Sequence, residues 1–332
     1  MKTADSQALY APPSLTKALL AGFDSITNHI GLIFFPVVLD VLLWLGPHLR
    51  LVGLIERLTD QLFGVPGIEA PETTEVVRLS REFWLYVAER LNLFSSLRSY
   101  PVGIPSLMVS IQPVSAPSGL PIAWEVPSIA AVIFIWIILT LAGLALGALF
   151  FDLVAQAALS GKVAFRQALQ QWPWSAVQVL VLALFWLIIL LIVSLPGSCL
   201  ITIASLGGIG LGRLGIFLYL VVIIWFLFPL LLSPHGIFVN RYRMWLSVRE
   251  GMRLTRLTLP TTALLFLTIV VLTEGLDLLW KVPGETSWFT LIGVAGHAFV
   301  TTGLLAASFV YYRDASSWVQ RKLNQIRLST TA

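Results

Sequence analysis

Apolar and polar positions along the chain follow two distinct patterns. Six stretches, 28–46, 126–153, 174–195, 211–232, 259–280 and 288–312, are apolar almost without interruption. At 1.5 Å per residue each covers about 30 Å, the thickness of bilayer hydrocarbon. Ahead of three of them the pattern changes to a single apolar stripe at helical spacing. Leu15, Leu19, Phe23 and Ile26 precede the first stretch, Phe165, Leu169 and Trp172 the third, and Trp245, Val248 and Met252 the fifth. Lys162, Arg166 and Gln170 lie on other faces of the second such segment, and Arg249, Arg253 and Arg256 on other faces of the third. Ser14 stands where the first would take its N-cap.

The predicted fold class is an all-α integral membrane protein with six transmembrane helices in three repeated units. Each unit is an amphipathic interfacial helix plus a helical hairpin, at about 14–157, 162–233 and 245–312 of a single membrane domain, 1–332. The first unit is lengthened by 47–125, a helical and Pro-rich insertion expected to cap the outer face. Leu51, Ile55, Leu58 and Leu62 mark its first helix, and Val76, Phe83, Val87, Leu91 and Phe94 a second over 72–97. Pro101, Pro105, Pro113, Pro117, Pro121 and Pro127 then dictate an extended or looped return. Pro36 and Pro229 are expected to kink the first and fourth spans. A cytoplasmic amphipathic tail, 313–332, carries Trp318, Val319, Leu323 and Ile326 beside Arg321, Lys322 and Arg327.

Composition agrees with a bilayer as the main solvent. Hydrophobic residues make up 57% and charged residues 11%, the mean hydropathy is +0.87, and soluble domains run near a quarter charged. Disorder, a disulfide scaffold and nucleic-acid binding are excluded. The net charge of +4 fits a positive-inside bias. With the N-terminus inside, the short cytoplasmic segments hold 13 of the 21 Lys and Arg, against Arg213 and Lys281 on the short outer loops. The other six fall in the long insertion, which counts little in this rule. Both termini are therefore expected in the cytoplasm. The first 27 residues contain Asp5 and Asp24 and no compact apolar core, so no cleaved signal is expected. Trp and Tyr at Trp124, Trp172, Trp174, Trp280, Trp288, Tyr311 and Tyr312 sit where interfacial anchors belong.

Candidate chemistry is sparse. Zinc-protease, CxxC, Walker and nucleophile-elbow motifs do not occur, and His29, His48, His235 and His297 are too scattered in sequence for a local metal site. No cofactor is expected. The lone Cys199 permits no internal disulfide. Gly210, Gly212 and Gly215 formally match a dinucleotide fingerprint but read as a flexible outer loop entering the fourth span. Gly143 and Gly147 form a small-residue face for close helix packing. Ionisable residues at membrane depth carry more information, because each is costly there. Asp40 and His297 both fall near mid-bilayer and form a candidate intramembrane polar pair. Arg213, Glu274 and Asp277 form a candidate polar cluster at the outer face, while Asp152 closes the second span near the cytoplasm. Arg249, Arg253, Arg256, Arg321 and Lys322 are candidate contacts for lipid headgroups, anionic ones above all.

A basic amphipathic helix of the type VREGMRLTRLTLP running into a span, within a six-helix protein whose last span ends YYRD, resembles bacterial membrane-domain families. The nearest is the glycerophosphoryl diester phosphodiesterase membrane-domain-like group, and the likeness covers most of the chain outside the 47–125 insertion. In that group the hydrolase is a separate soluble domain, which this chain lacks, so the resemblance implies no activity and transfers no functional residue. The expectation is a multi-pass protein of the bacterial plasma membrane with no catalytic site of its own. Its role would be a scaffold or accessory protein that interacts with lipid, with a possible membrane-protein partner and no nucleic acid. The alternative is a transporter or channel-like protein built on Asp40 and His297.

Overall fold

Within hydrocarbon a backbone amide finds no water, so an apolar run must bond within its own helix. The computed structural model, which describes residues 13–63, 71–206 and 208–331, follows that rule. Its helices are α1 (Leu15–Asn28), α2 (Phe34–Leu45), α3 (Val52–Phe63), α4 (Pro71–Arg90), α5 (Met108–Ile111) and α6 (Ile129–Ser160). They continue with α7 (Phe165–Leu206), α8 (Ile209–Leu227), α9 (Ser233–Val239), α10 (Met244–Leu257), α11 (Leu259–Trp280) and α12 (Thr290–Thr331). Among the described residues five helices are long and apolar enough to cross a membrane, α6, α7, α8 with its continuation to Val239, α11 and α12. Helix α1 and the segment 30–45, bent by 91°, make a sixth if taken together. Lipid-facing ladders of exposed Leu, Ile, Val, Phe and Trp run along α6, α7, α8 and α11.

The central helix is α12, whose Val294, Ala298, Ala306, Ala307 and Phe309 are fully buried. Its small residues admit α1 closely. A side chain on Gly22 would strike the Ala307 backbone, Gly303 abuts the Phe23 ring, and Phe23 meets Phe299 at 5.8 Å. Helix α1 therefore packs along α12. The second amphipathic segment is no separate helix: it is continuous with its span in the 42-residue α7, across Pro173. Helix α10, like α1, is a distinct helix ending where the next apolar segment begins, with Met244, Ser247, Val248, Gly251 and Leu254 turned inward. The tail likewise continues α12 without a break.

Ser14 occupies the N-cap position of α1 but caps no amide; its hydroxyl bonds Thr16 Oγ1 at 3.2 Å. The turn between α7 and α8 takes its positive φ of 118° at Gly208, and the following glycines are helical. Gly212 instead lets α8 approach Ser205 of α7. Pro229 lies in the short 3-10 turn Phe228–Leu230, which separates α8 from α9. Helix α6 is bounded as its sequence dictates, with Ser128 Oγ accepting from Ala131 N and Gly161 leaving in the left-handed conformation.

The insertion departs furthest from expectation. Strands β1 (His48–Arg50) and β2 (Ala123–Glu125) pair in parallel and clasp its two ends. Helices α3 and α4 fall close to the predicted helices, but the return segment does not stay on the surface. The Leu97 carbonyl lies against Gly143, and Gly103 Cα would stand 2.8 Å from a Cβ at Gly147. Gly143 is about 21 Å and Gly147 about 27 Å along α6 from Ile129. The small-residue face thus admits an inward-dipping loop of the insertion. Val102, Leu107 and Met108 of that loop are buried in the main apolar core with Leu39, Leu43 and Phe150. Side chains at Leu62, Val76, Ile326 and Arg327, and residues 1–12 with the signal-peptide reading, lie outside what is described.

Candidate functional site

A loop that enters an apolar core must bring partners for its own amides. Asp40 on α2 supplies them. Its carboxylate accepts from Ser106 Oγ at 2.5 Å, Met108 N at 3.0 Å and Leu107 N at 3.1 Å, and its side chain is fully buried. The donors are the first amides of α5 and the turn before it, so Asp40 caps from a distance a helix too short to hold itself. Ser106 Oγ in turn accepts from Val109 N at 3.2 Å.

His297 takes a different partner. Its Nδ1 meets Asp277 Oδ1 at 2.7 Å, and Lys281 Nζ stands 3.9 Å from Asp277 Oδ2. Helix α2, with Asp40, packs on α12, which carries His297. Yet the two groups are not hydrogen bonded to each other, because the insertion loop occupies Asp40 and α11 presents Asp277 to His297. The expected Asp40–His297 pair is thereby corrected to two separate ties. The expected outer cluster is also divided. Asp277 is buried with His297, while Glu274 and Arg213 are exposed, and among the described residues no ion pair joins them.

A third tie lay outside the candidate set. Arg241, at φ 53°, donates to Asp152 Oδ1 at 2.7 Å, to Ser175 Oγ at 3.1 Å and to Gln171 Oε1. Gln178 Oε1 accepts from Met244 N at 2.9 Å. Gln171, Ser175 and Gln178 are spaced four and three residues apart, one stripe of α7 facing the link between α9 and α10. At the opposite end Glu285, in the α11–α12 turn, accepts from Val114 N at 3.0 Å and Ser115 Oγ at 2.7 Å. Its carbonyl accepts from Trp44 Nε1 at 2.8 Å. Nearby, His48 Nε2 lies 3.1 Å from the Leu43 carbonyl and His48 Nδ1 lies 3.2 Å from Arg50 Nη2, a set that a neutral imidazole satisfies.

Burial is the largest influence on His48 and pushes its imidazole below the ordinary value; Arg50 adds to this, while the Leu43 bond and Glu285 oppose it. The unfolded chain takes up that proton near pH 6.5 and the folded chain only lower. The stability linked to His48 is therefore complete above that range and declines as pH falls below it. Thermal unfolding followed from about pH 7.5 to about pH 5 should show a decline that His48→Gln lacks. Parallel declines in both proteins would contradict the assignment.

The exposed basic residues are placed as follows. Arg249, Arg253 and Arg256 are exposed on α10, with Arg253 Nη1 3.3 Å from Glu250 Oε2. Arg321 and Lys322 are exposed on the last turns of α12, with Lys322 Nζ 5.8 Å from the Trp318 ring. Among the described residues no group of three or more His, Cys, Asp or Glu is placed to hold a metal ion.

Two cavities flank the dipping loop. A groove of about 340 Å³ is lined by Phe34, Phe35, Val38, Leu39, Leu42, Leu97, Ile104 and Leu146 and opens on the lipid-facing side, where Phe34 and Val38 are exposed. A second cavity of about 160 Å³ lies between the loop and α12, with Arg98, Tyr100, Thr301 and Leu305 on its walls, and Ile104 belongs to both. Comparison with protein-family models, with curated proteins and with solved structures finds no match.

Proposed function

We propose that the protein is a non-catalytic multi-pass protein of the bacterial plasma membrane that holds lipid, acting as a scaffold or accessory component. Both termini lie in the cytoplasm in this reading, on the side of the basic α10 and of the α12 tail, with the insertion outside. In this reading the three amphipathic-plus-hairpin units are a sequence repeat, the first amphipathic segment packed on α12 and the second continuous with its span. The observation that carries the functional reading is the groove between α2, the dipping loop and α6. It is lined by eight apolar side chains and opens among exposed apolar residues of the lipid-facing surface, which suits a hydrocarbon chain and no polar solute. The buried ionisable groups support the same reading, since Asp40, Asp152 and Asp277 are each engaged by protein donors that tie segments together.

The test is lipid retention. Protein purified in mild detergent and examined by native mass spectrometry should carry diacyl lipid, and Val38→Trp, which fills the groove from its mouth, should strip it while the protein still purifies folded. Equal retention in both proteins would overturn the reading. The transporter alternative predicts instead that solute flux into proteoliposomes depends on Asp40 in a variant that still folds, such as Asp40→Asn.

A further inference from the structure

We propose that Arg98 binds the phosphate of a membrane phospholipid whose acyl chain occupies the adjoining apolar groove; the inference rests on the lipid-holding reading above and adds its headgroup chemistry. Sequence alone places Arg98 in an external loop, where a cation needs no explanation. The structure places it beside Leu97, whose carbonyl abuts Gly143 of α6, and on the wall of a cavity that reaches Phe151, Thr301 and Leu305 of the membrane helices. A guanidinium among membrane helices is costly and keeps its charge, so it calls for an anion.

Among the described residues no carboxylate forms an ion pair with Arg98. Its protein contacts are a 3.4 Å hydrogen bond to the Ser106 carbonyl and the Tyr100 ring, 5.5 Å from the guanidinium carbon. An arginine carries five N–H donors in a fork that suits two phosphate oxygens at once.

Position supports a phospholipid as the occupant. The exposed apolar ladder on α6 runs from Ile129 to Leu146, and the residues that follow, Ala148 to Ala155, are buried by protein. Leu97 and Gly103, which bracket Arg98 in the loop, abut Gly143 and Gly147 at that end of the ladder. A headgroup phosphate belongs at the edge of the apolar belt, with its chain running back along it. The groove begins there, because Leu146 and Leu97 line it, and it shares Ile104 with the Arg98 cavity. One ligand with its phosphate at Arg98 and its attached chain in the groove would bridge the two cavities past Ile104.

The experiment uses the full chain in detergent, titrated with dioleoyl-phosphatidylglycerol or with dioleoylglycerol, which has the same chains and no phosphate. Bound lipid is read by native mass spectrometry. The wild type should prefer the phospholipid by about tenfold or more, as a charge-assisted fork warrants. Arg98→Gln should abolish that preference while leaving dioleoylglycerol binding unchanged. Arg98→Lys, which keeps the charge and loses the fork, should reduce the preference severalfold, and it provides the reading if the glutamine variant does not purify. A preference unchanged in the variant that purifies overturns the proposal. An excess of inorganic phosphate should not displace the phospholipid; displacement that depends on Arg98 would show a site for the free anion and also overturn it. Failure of the lipid-holding reading is distinguishable, because there Val38→Trp leaves retention of both lipids untouched.

Discussion

Asp40→Ala should lower the stability of the detergent-solubilised protein by about 3–5 kcal/mol, among the largest effects of any single substitution in the chain. The carboxylate is buried and serves two backbone amides and one hydroxyl, and alanine would leave all three without an acceptor inside an apolar core. Buried donors without partners cost about 1–3 kcal/mol each. Relaxation of the loop recovers part of that sum. Asp40→Asn keeps one acceptor oxygen and should cost less than alanine. The measurement is the denaturation midpoint of the three proteins in mixed micelles, where an alanine variant within about 0.5 kcal/mol of wild type would refute the capping role.

Arg241→Met should be comparably damaging, at about 3–5 kcal/mol, because it leaves the Asp152 carboxylate buried without its counter-ion. Asp152→Asn should cost less, since the remaining Arg241 is about a third exposed and can turn to solvent. The double variant Arg241→Met with Asp152→Leu should recover much of the single loss, and the non-additivity measures the coupling. Additive losses would mean that Gln171 and Ser175, and not Asp152, hold the arginine in place.

The membrane class and most helix positions were legible because long apolar runs admit one backbone solution. Gly143 and Gly147 were legible as a close-approach face, but sequence says only that something small must pass, and what passes is the Leu97–Gly103 backbone. The wrong inference about Asp40 has the same origin. Depth along a helix placed it level with His297, whereas the loop that captures it comes from a segment whose prolines excluded helix and left its path unspecified. The polar stripe Gln171, Ser175 and Gln178 on an otherwise apolar helix was a usable signal for the Arg241 site. That stripe crosses the boundary between the predicted interfacial helix and the predicted span, where the structure has one continuous α7. Glu285 and Arg98 carried no local pattern at all; their roles arise from the turn and the loop that meet them.

The return segment of the insertion is buried in the helix bundle and is held there by Asp40. Cysteine accessibility tests it most directly. In a Cys199→Ser background, single cysteines at Val102, Ser106, Ser118 and Leu120 are exposed to a membrane-impermeant maleimide in intact proteoliposomes. The structure predicts rapid labelling at Ser118 and Leu120, which are exposed, and protection at Val102 and Ser106, which are buried. Asp40→Ala should release that protection. Equal labelling at all four positions in the protein with Asp40 intact would contradict the account.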